Sequence, residues 1–165
     1  MRAMRRTANR SKSGSEQSNP AIRQSGKHKT RHEDHRDHFK EVRNMRFFIC
    51  EHCKNIVTFV EDKGVPVMCC GQKMTELVAN TTDAAQEKHV PVVEKDGDKL
   101  IVSVGSVEHP MTEEHHIAWV AVETKQGSQI KYLDHVGAPK AEFALGGEEV
   151  EAVYAYCNLH GLWKA

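Results

Sequence analysis

The chain has 165 residues, with 23 basic and 23 acidic side chains, five cysteines and eleven histidines. That length holds one medium domain or two small ones, and no apolar run approaches a bilayer span, so the sequence predicts no membrane partner. The even charge hides two regimes: residues 1–44 carry twelve Lys/Arg against five Asp/Glu, and the remainder eleven against eighteen.

The first 44 residues are Ser-, Gln- and Lys-rich, and their only large apolar residues after Met4 are Ile22, Phe39 and Val42. Such a segment cannot bury enough surface to offset the entropy of ordering its backbone, so a disordered basic tail is expected over 1–44. Arg5-Arg6 is not followed by the apolar stretch of an export signal. The acid-free, Arg- and Ser-bearing start is like a transit leader, but Glu16, Glu33, Asp34 and Asp37 break that pattern. A soluble cytoplasmic protein is the expectation. An upstream start site or an added leader ahead of Met45 would explain the head. His28, His32, His35 and His38 lie at helix-compatible spacing and read as part of a solvated tail.

From Met45 the pattern changes. A first unit, 45–80, opens on Phe47-Phe48-Ile49, returns through Thr58-Phe59-Val60 and turns at Asp62-Lys63-Gly64. It is too small to hold itself by apolar burial alone, so a metal staple is expected. The polar stretch Ala79–Asp83 separates it from a second unit, 84–165. There, strand-like runs at 99–104, 117–123, 129–133 and 150–156 are divided by turn signals such as Asp96-Gly97-Asp98 and Gln126-Gly127-Ser128. No long amphipathic helix is visible. The expected fold class is all-β, with the second unit a β-sandwich.

Two groups of residues carry chemistry. Cys50-x2-Cys53 and the adjacent pair Cys69-Cys70 offer four thiolates, enough for a closed tetrahedral site of zinc or iron. Spacing does not choose between the metals. Neighbouring side chains on extended backbone point opposite ways, so the vicinal pair must twist to meet one ion. The second group is scattered: His89 after Glu87-Lys88, His109 in His-Pro-Met, His115 six residues on, and Cys157-x2-His160 near the end. Four imidazoles and a thiolate are one ligand too many for structural zinc. They suit a square-pyramidal iron with its sixth position open.

Cys-x2-Cys-x15-Cys-Cys, Glu-Lys-His-Val-Pro, His-Pro-Met-x3-His and Cys-Asn-x-His-Gly-x-Trp, in this order, resemble desulfoferrodoxin, the two-domain superoxide reductase. The likeness spans almost all of 45–165 and leaves 1–44 outside. It implies a desulforedoxin-like domain over 45–80, with a distorted rubredoxin-type iron on Cys50, Cys53, Cys69 and Cys70. It implies an immunoglobulin-like sandwich over 84–165, with a catalytic iron on His89, His109, His115 and His160 and axial Cys157. His116 competes with His115, and the family spacing favours His115. Glu87 would occupy the sixth position of the resting ferric form, and Lys88 would sit over the open face. The resemblance further implies superoxide as substrate, hydrogen peroxide as product, a rubredoxin-like electron donor and a homodimer.

Three other readings compete. A zinc-binding regulatory or nucleic-acid module would use the basic head on phosphates, but the head lacks aromatic interleaving and the body is acidic. A pure electron carrier does not need an open position, and dismutation fits the thiolate less well than one-way reduction.

Overall fold

The computed structural model describes residues 44–165. All but Asn44 of the expected tail therefore lies outside the described residues. The first elements form a small antiparallel sheet. Strand β1 (Phe47–Ile49) lies at its centre, flanked by β2 (Ile56–Thr58) and β5 (Thr75–Leu77), while β3 (Met68–Cys69) and β4 (Gln72–Lys73) form a separate hairpin. The return strand ends earlier than the apolar run Thr58-Phe59-Val60 suggested. Phe59 leaves the sheet to pack edge-on against Phe48 at 5.3 Å, and Val60 is exposed.

A single helical turn, α1 (Gln86–His89), leads into the larger part. Strands β6 (Pro91–Asp96), β7 (Lys99–Val104) and β10 (Lys140–Ala144) make one sheet in the order β10-β7-β6. Strands β8 (Ile117–Thr124), β9 (Ser128–Tyr132), β11 (Val150–Cys157) and β12 (Gly161–Lys164) make the other, in the order β12-β11-β8-β9. Every pairing is antiparallel. The two sheets enclose one apolar core that includes Val102, Val104, Val120, Val122, Phe143 and Val153. Among the described residues no helix is long and apolar enough to cross a membrane.

The four-stranded sheet is covered on its outer face as well. Trp119, Tyr154 and Leu162 pack there with Phe47, and Ile56 and Leu77 lie against the same cluster. This explains why β8 is an apolar run instead of an alternation. A strand buried on both faces has no solvent side to keep polar. Buried Glu123 secures the junction by accepting bonds from the Met45 backbone N–H at 2.9 Å and the Tyr154 hydroxyl at 3.2 Å.

Strand β11 ends at the chemistry. Tyr156 pairs with Trp119 and Cys157 with Ile117, so the register skips Ala118. Such an irregularity bends a strand and re-aims its side chains. Here it sits where β11 delivers Cys157 and where β8 begins, directly after His115 and His116.

Candidate metal centres

The four cysteines of the small unit converge, with their sulfurs all within 4.8 Å of one another. Cys53 and Cys69 are 3.6 Å apart, and Cys69 and Cys70 3.9 Å. A tetrahedron with metal–sulfur bonds of about 2.3 Å has edges of about 3.8 Å, so the thiols fit one ion. Local backbone makes the convergence possible. Cys69 pairs with Gln72, leaving Cys70 and Gly71 as a two-residue loop with φ of +50° and +77°. Positive φ at both positions is the hairpin geometry that matches strand twist. It also answers how vicinal cysteines share a centre: the left-handed turn at Cys70 brings its thiol back toward that of Cys69. On the other side, the Lys54 N–H donates to the Cys50 carbonyl at 2.8 Å and closes the turn carrying Cys50 and Cys53.

The thiols are electrostatically unequal. Backbone N–H groups of Cys53 and His52 hold the Cys50 thiol down to about 6. Sharing protons with Cys53 and Cys50 pushes the Cys69 thiol up to about 12, and Cys70 is raised for the same reason. Only a bound cation allows all four to ionise together.

The second centre lies at the end of the sandwich. Ligating atoms of His89, His109, His115, His160 and Cys157 lie within 4.8 Å of one another. The imidazoles follow one another around a ring: His89–His109 4.8 Å, His109–His115 4.5 Å, His115–His160 4.9 Å and His160–His89 4.7 Å between centroids. Successive planes are inclined by 76°, 77°, 78° and 85°. Across the ring, His89 and His115 are 6.3 Å apart, close to the diagonal of a square with those sides. Cys157 lies in the sandwich core, its sulfur 3.5 Å from His160 Nδ1.

The tautomers agree with a shared ion. His89 Nδ1–H donates to the Ala85 carbonyl at 2.7 Å, and His109 Nδ1–H to that of Pro110 at 2.6 Å. Each bond leaves an Nε2 lone pair directed elsewhere, the usual arrangement of a metal-bound imidazole. The Nε2 atoms of His109 and His115 are buried without a hydrogen-bond partner, which is costly unless a ligand satisfies them. His89 Nε2 and His160 Nδ1 are 2.9 Å apart. Two nitrogens at right angles on one ion, with bonds of about 2.1 Å, are about 3 Å apart. Burial drives His109 down to about 4 and lowers His89 and His115 too, so these rings are neutral donors. Burial pushes the Cys157 thiol up, while the amides of Leu159 and His160 oppose that rise. The donor set therefore fits a cation that borderline nitrogen and soft sulfur both favour.

Glu87 and Lys88 stand exposed on α1, close enough for their charges to act on His89, and Lys88 also acts on His115. His116 turns away from the ring: its Nδ1–H donates to the Thr112 carbonyl at 3.0 Å, its backbone N–H donates to Asn158 at 2.9 Å, and its imidazole faces His135.

Sequence reasoning missed several supports. Trp163 is fully buried and stacks on His89 at 4.7 Å and 22°, and it was visible only as the last letter of the Cys-Asn-x-His-Gly-x-Trp motif. The Ala85 and Pro110 carbonyls carry no side-chain signal at all. Gly105 has φ +84°, and a Cβ there would collide with the Val107 carbonyl and lie 2.7 Å from that of Lys88. Its N–H donates to Val90 at 3.1 Å, and the Val107 N–H donates to Glu87 at 2.9 Å, so this loop clamps α1. We expect Gly105→Ala to cost at least about 2 kcal/mol from the left-handed backbone and the collision together. It should also displace His89. Thermal unfolding of the metal-loaded variant, read beside its visible spectrum, checks both.

Comparison with known proteins places these centres in context. A family model described as Desulfoferrodoxin matches residues 81–165. A desulfoferrodoxin homolog of Archaeoglobus fulgidus is 45% identical over 121 residues, covering 73% of this chain and 96% of the relative. The desulfoferrodoxin of Nitratidesulfovibrio vulgaris is 46% identical over 116 residues, 70% of this chain and 91% of the relative. Among solved structures, the superoxide reductase from Treponema pallidum superimposes with a TM-score of 0.64 at 42% identity, covering 74% of this chain and 99% of that one.

Proposed function

The chain belongs to the desulfoferrodoxin family, and from that premise we infer that it is a superoxide reductase, an oxidoreductase converting superoxide to hydrogen peroxide with one electron and two protons. The observation that carries this reading is the square of four imidazoles beside a buried cysteine, with two ring nitrogens left unpartnered. Five donors of this kind would hold an iron and leave one position for a small molecule. The protein holds two irons: one on Cys50, Cys53, Cys69 and Cys70, the other on His89, His109, His115, His160 and Cys157. We assign the first to a knuckle domain over 45–80 and the second to a sandwich domain over 84–165.

Iron held by the second set would supply the electron for reduction of the superoxide anion. Cys157 would be the electron-rich donor, since a thiolate pushes density toward the metal; with imidazoles in place of a porphyrin, the family likeness implies that the product leaves with its oxygen–oxygen bond intact. Lys88 supplies local positive charge in a body that is otherwise acidic. It raises the concentration of the anion at the site and orders a water able to deliver protons. Glu87, exposed on the same helical turn, would be the carboxylate able to close the site between turnovers. His89 is held by Ala85 and His109 by Pro110, so both rings keep their orientation through the cycle.

This reading includes a small rubredoxin-like electron donor and a homodimer, both carried over from the family likeness. It also includes a cytoplasmic setting, where five free cysteines stay reduced, and a role in removing reactive oxygen species. Stopped-flow or pulse kinetics with superoxide on the reduced, iron-loaded protein tests it. A fast second-order reaction that slows with added salt is expected. Lys88→Ala should cut that rate about tenfold and flatten its salt dependence, the signature of lost electrostatic attraction. An unchanged rate with unchanged salt sensitivity would remove Lys88 from the mechanism.

A further inference from the structure

Two imidazoles outside the square of four, His116 and His135, face each other. Their ring centroids are 6.0 Å apart and their planes are inclined by 50°. That separation lies within the range of the square itself, where neighbouring rings are as little as 4.5 Å apart and opposite rings 6.3 Å. It is a spacing that two imidazoles on a single ion adopt.

Both rings also have an oxygen at Nδ1. His116 Nδ1–H donates to the Thr112 carbonyl at 3.0 Å, and His135 Nδ1 lies 3.2 Å from Asp134 Oδ1. An acceptor at Nδ1 keeps the proton there and leaves the Nε2 lone pair as the donor, as at His89 and His109, and as is usual for a metal-bound imidazole. Among the described residues neither Nε2 has a hydrogen-bond partner of its own.

The rings come from two separately anchored loops. Thr112 closes the turn before His116, its N–H donating to the His115 carbonyl at 3.0 Å and its hydroxyl accepting from the His115 N–H at 3.1 Å. The His116 N–H donates to Asn158 at 2.9 Å, and Asn158 Nδ2 donates to the Glu114 carbonyl at 2.9 Å, so the turn rests on the residue after Cys157. His135 follows β9, where the Leu133 N–H donates to the Ala118 carbonyl at 3.0 Å and Asp134 accepts from the Val136 N–H at 3.2 Å. Holding these loops in place does not require that both present an imidazole to the same point with the same nitrogen free.

We propose that His116 and His135 together bind one divalent transition-metal ion of the class imidazole favours, such as zinc or copper, through their Nε2 atoms. Water completes the coordination. The site is separate from the square, although His116 is one peptide bond from its ligand His115, and it does not depend on the iron reading. With two protein ligands it is an exchangeable site that fills and empties with metal supply, unlike the closed four-cysteine centre. When filled, it joins the turn of residues 112–116 to the loop after β9.

The test uses the full-length, iron-loaded protein with zinc as the probe. Diethyl pyrocarbonate, which acylates free imidazole nitrogen, is applied near neutral pH with and without zinc. Labelling of each histidine is read by mass spectrometry, and iron content is measured alongside. Zinc should slow the labelling of His135, whose side chain is 45% exposed, tenfold or more, and that of His116 with it. His116→Ala should abolish the protection of His135, and His135→Ala that of His116. The four histidines before residue 44 remain in every variant, so zinc taken up there cannot produce this reciprocal loss. Should His116→Ala lose iron, the exposed His135→Ala decides alone, by whether zinc still protects His116. Labelling of His135 that zinc does not change, or protection of either ring that persists without the other, would overturn the shared site.

Discussion

Replacing Cys157 with serine should leave a folded protein that retains the four-cysteine iron and has lost superoxide reduction. The substitution exchanges one buried atom at the end of β11, where Cys157 is fully enclosed by the sandwich core, so the strand pairing to β8 and β12 survives. The donor does not survive. A serine hydroxyl is a hard oxygen that stays protonated, while the thiol ionises once a soft or borderline cation is bound. Loss of an outer-shell partner costs about 10–100-fold in metal affinity, and loss of the ligand itself should cost at least the upper end of that range. The superoxide rate should fall by two orders of magnitude or more, because the remaining four imidazoles lack the electron-rich donor. Iron content, far-ultraviolet circular dichroism and superoxide kinetics together check this. A variant that keeps its second iron and its rate would show that Cys157 is not a ligand.

The second large effect concerns the four-cysteine centre. Removing its metal by chelation, or substituting Cys70→Ser, should release the small unit in part and not as a whole. Beyond the small cluster of Cys50 with Phe48 and Met74, the Cys50–Lys54 turn and the β3–β4 hairpin bury little apolar surface: Met68 is exposed, and so are Gln72 and Lys73. Strand β1 differs, because Phe47 is buried against Trp119 and Tyr154 at 4.8 and 5.5 Å. We therefore expect the amides of Lys54 and Met74, bonded to Cys50 and Val67, to exchange at least about 100-fold faster without metal. That requires only about 3 kcal/mol of the roughly 10–16 kcal/mol that structural thiolate sites supply. Amides of β1 should keep their protection. Uniform loss of protection across β1 to β5 would mean that the metal, and not the packing on the sandwich, holds the whole unit.

Much of this architecture was legible in the residues, and the gaps have physical causes. The runs at 99–104 and 117–123 carry enough β-branched and aromatic residues to announce strands. By contrast β6 gives no such signal, since only Pro91 is buried and the five following residues are exposed. Strand β10 hides because Ala141 and Phe143 are its only buried residues, and β12 offers just Leu162 and Trp163 before the chain ends. The sequence reads β11 as a clean alternation, but both faces are covered, and that follows only from the docking of Phe47 on Tyr154 and Trp119.

At the metal centres, side-chain type and order were visible and backbone geometry was not. The vicinal Cys69-Cys70 predicts a twist, and the structure supplies it as a left-handed Cys70 in a two-residue loop. In the sequence, family spacing and alternation along the strand that follows favour His115 over His116. Physically the choice depends on Thr112 and Asn158, which hold His116 outward. The carbonyls of Ala85 and Pro110, the stacked Trp163 and the close approach at Gly105 are tertiary facts that spacing along a chain does not encode.

The central claim is one-way reduction of superoxide at the imidazole–thiolate centre. The most direct measurement is the yield of peroxide when the fully reduced, iron-loaded protein meets a limiting amount of superoxide, with dissolved oxygen recorded in the same experiment. One hydrogen peroxide is expected for each superoxide consumed and no oxygen released, with the peroxide yield lost in Cys157→Ser. One peroxide and one oxygen for every two superoxides would be dismutation, and would contradict it.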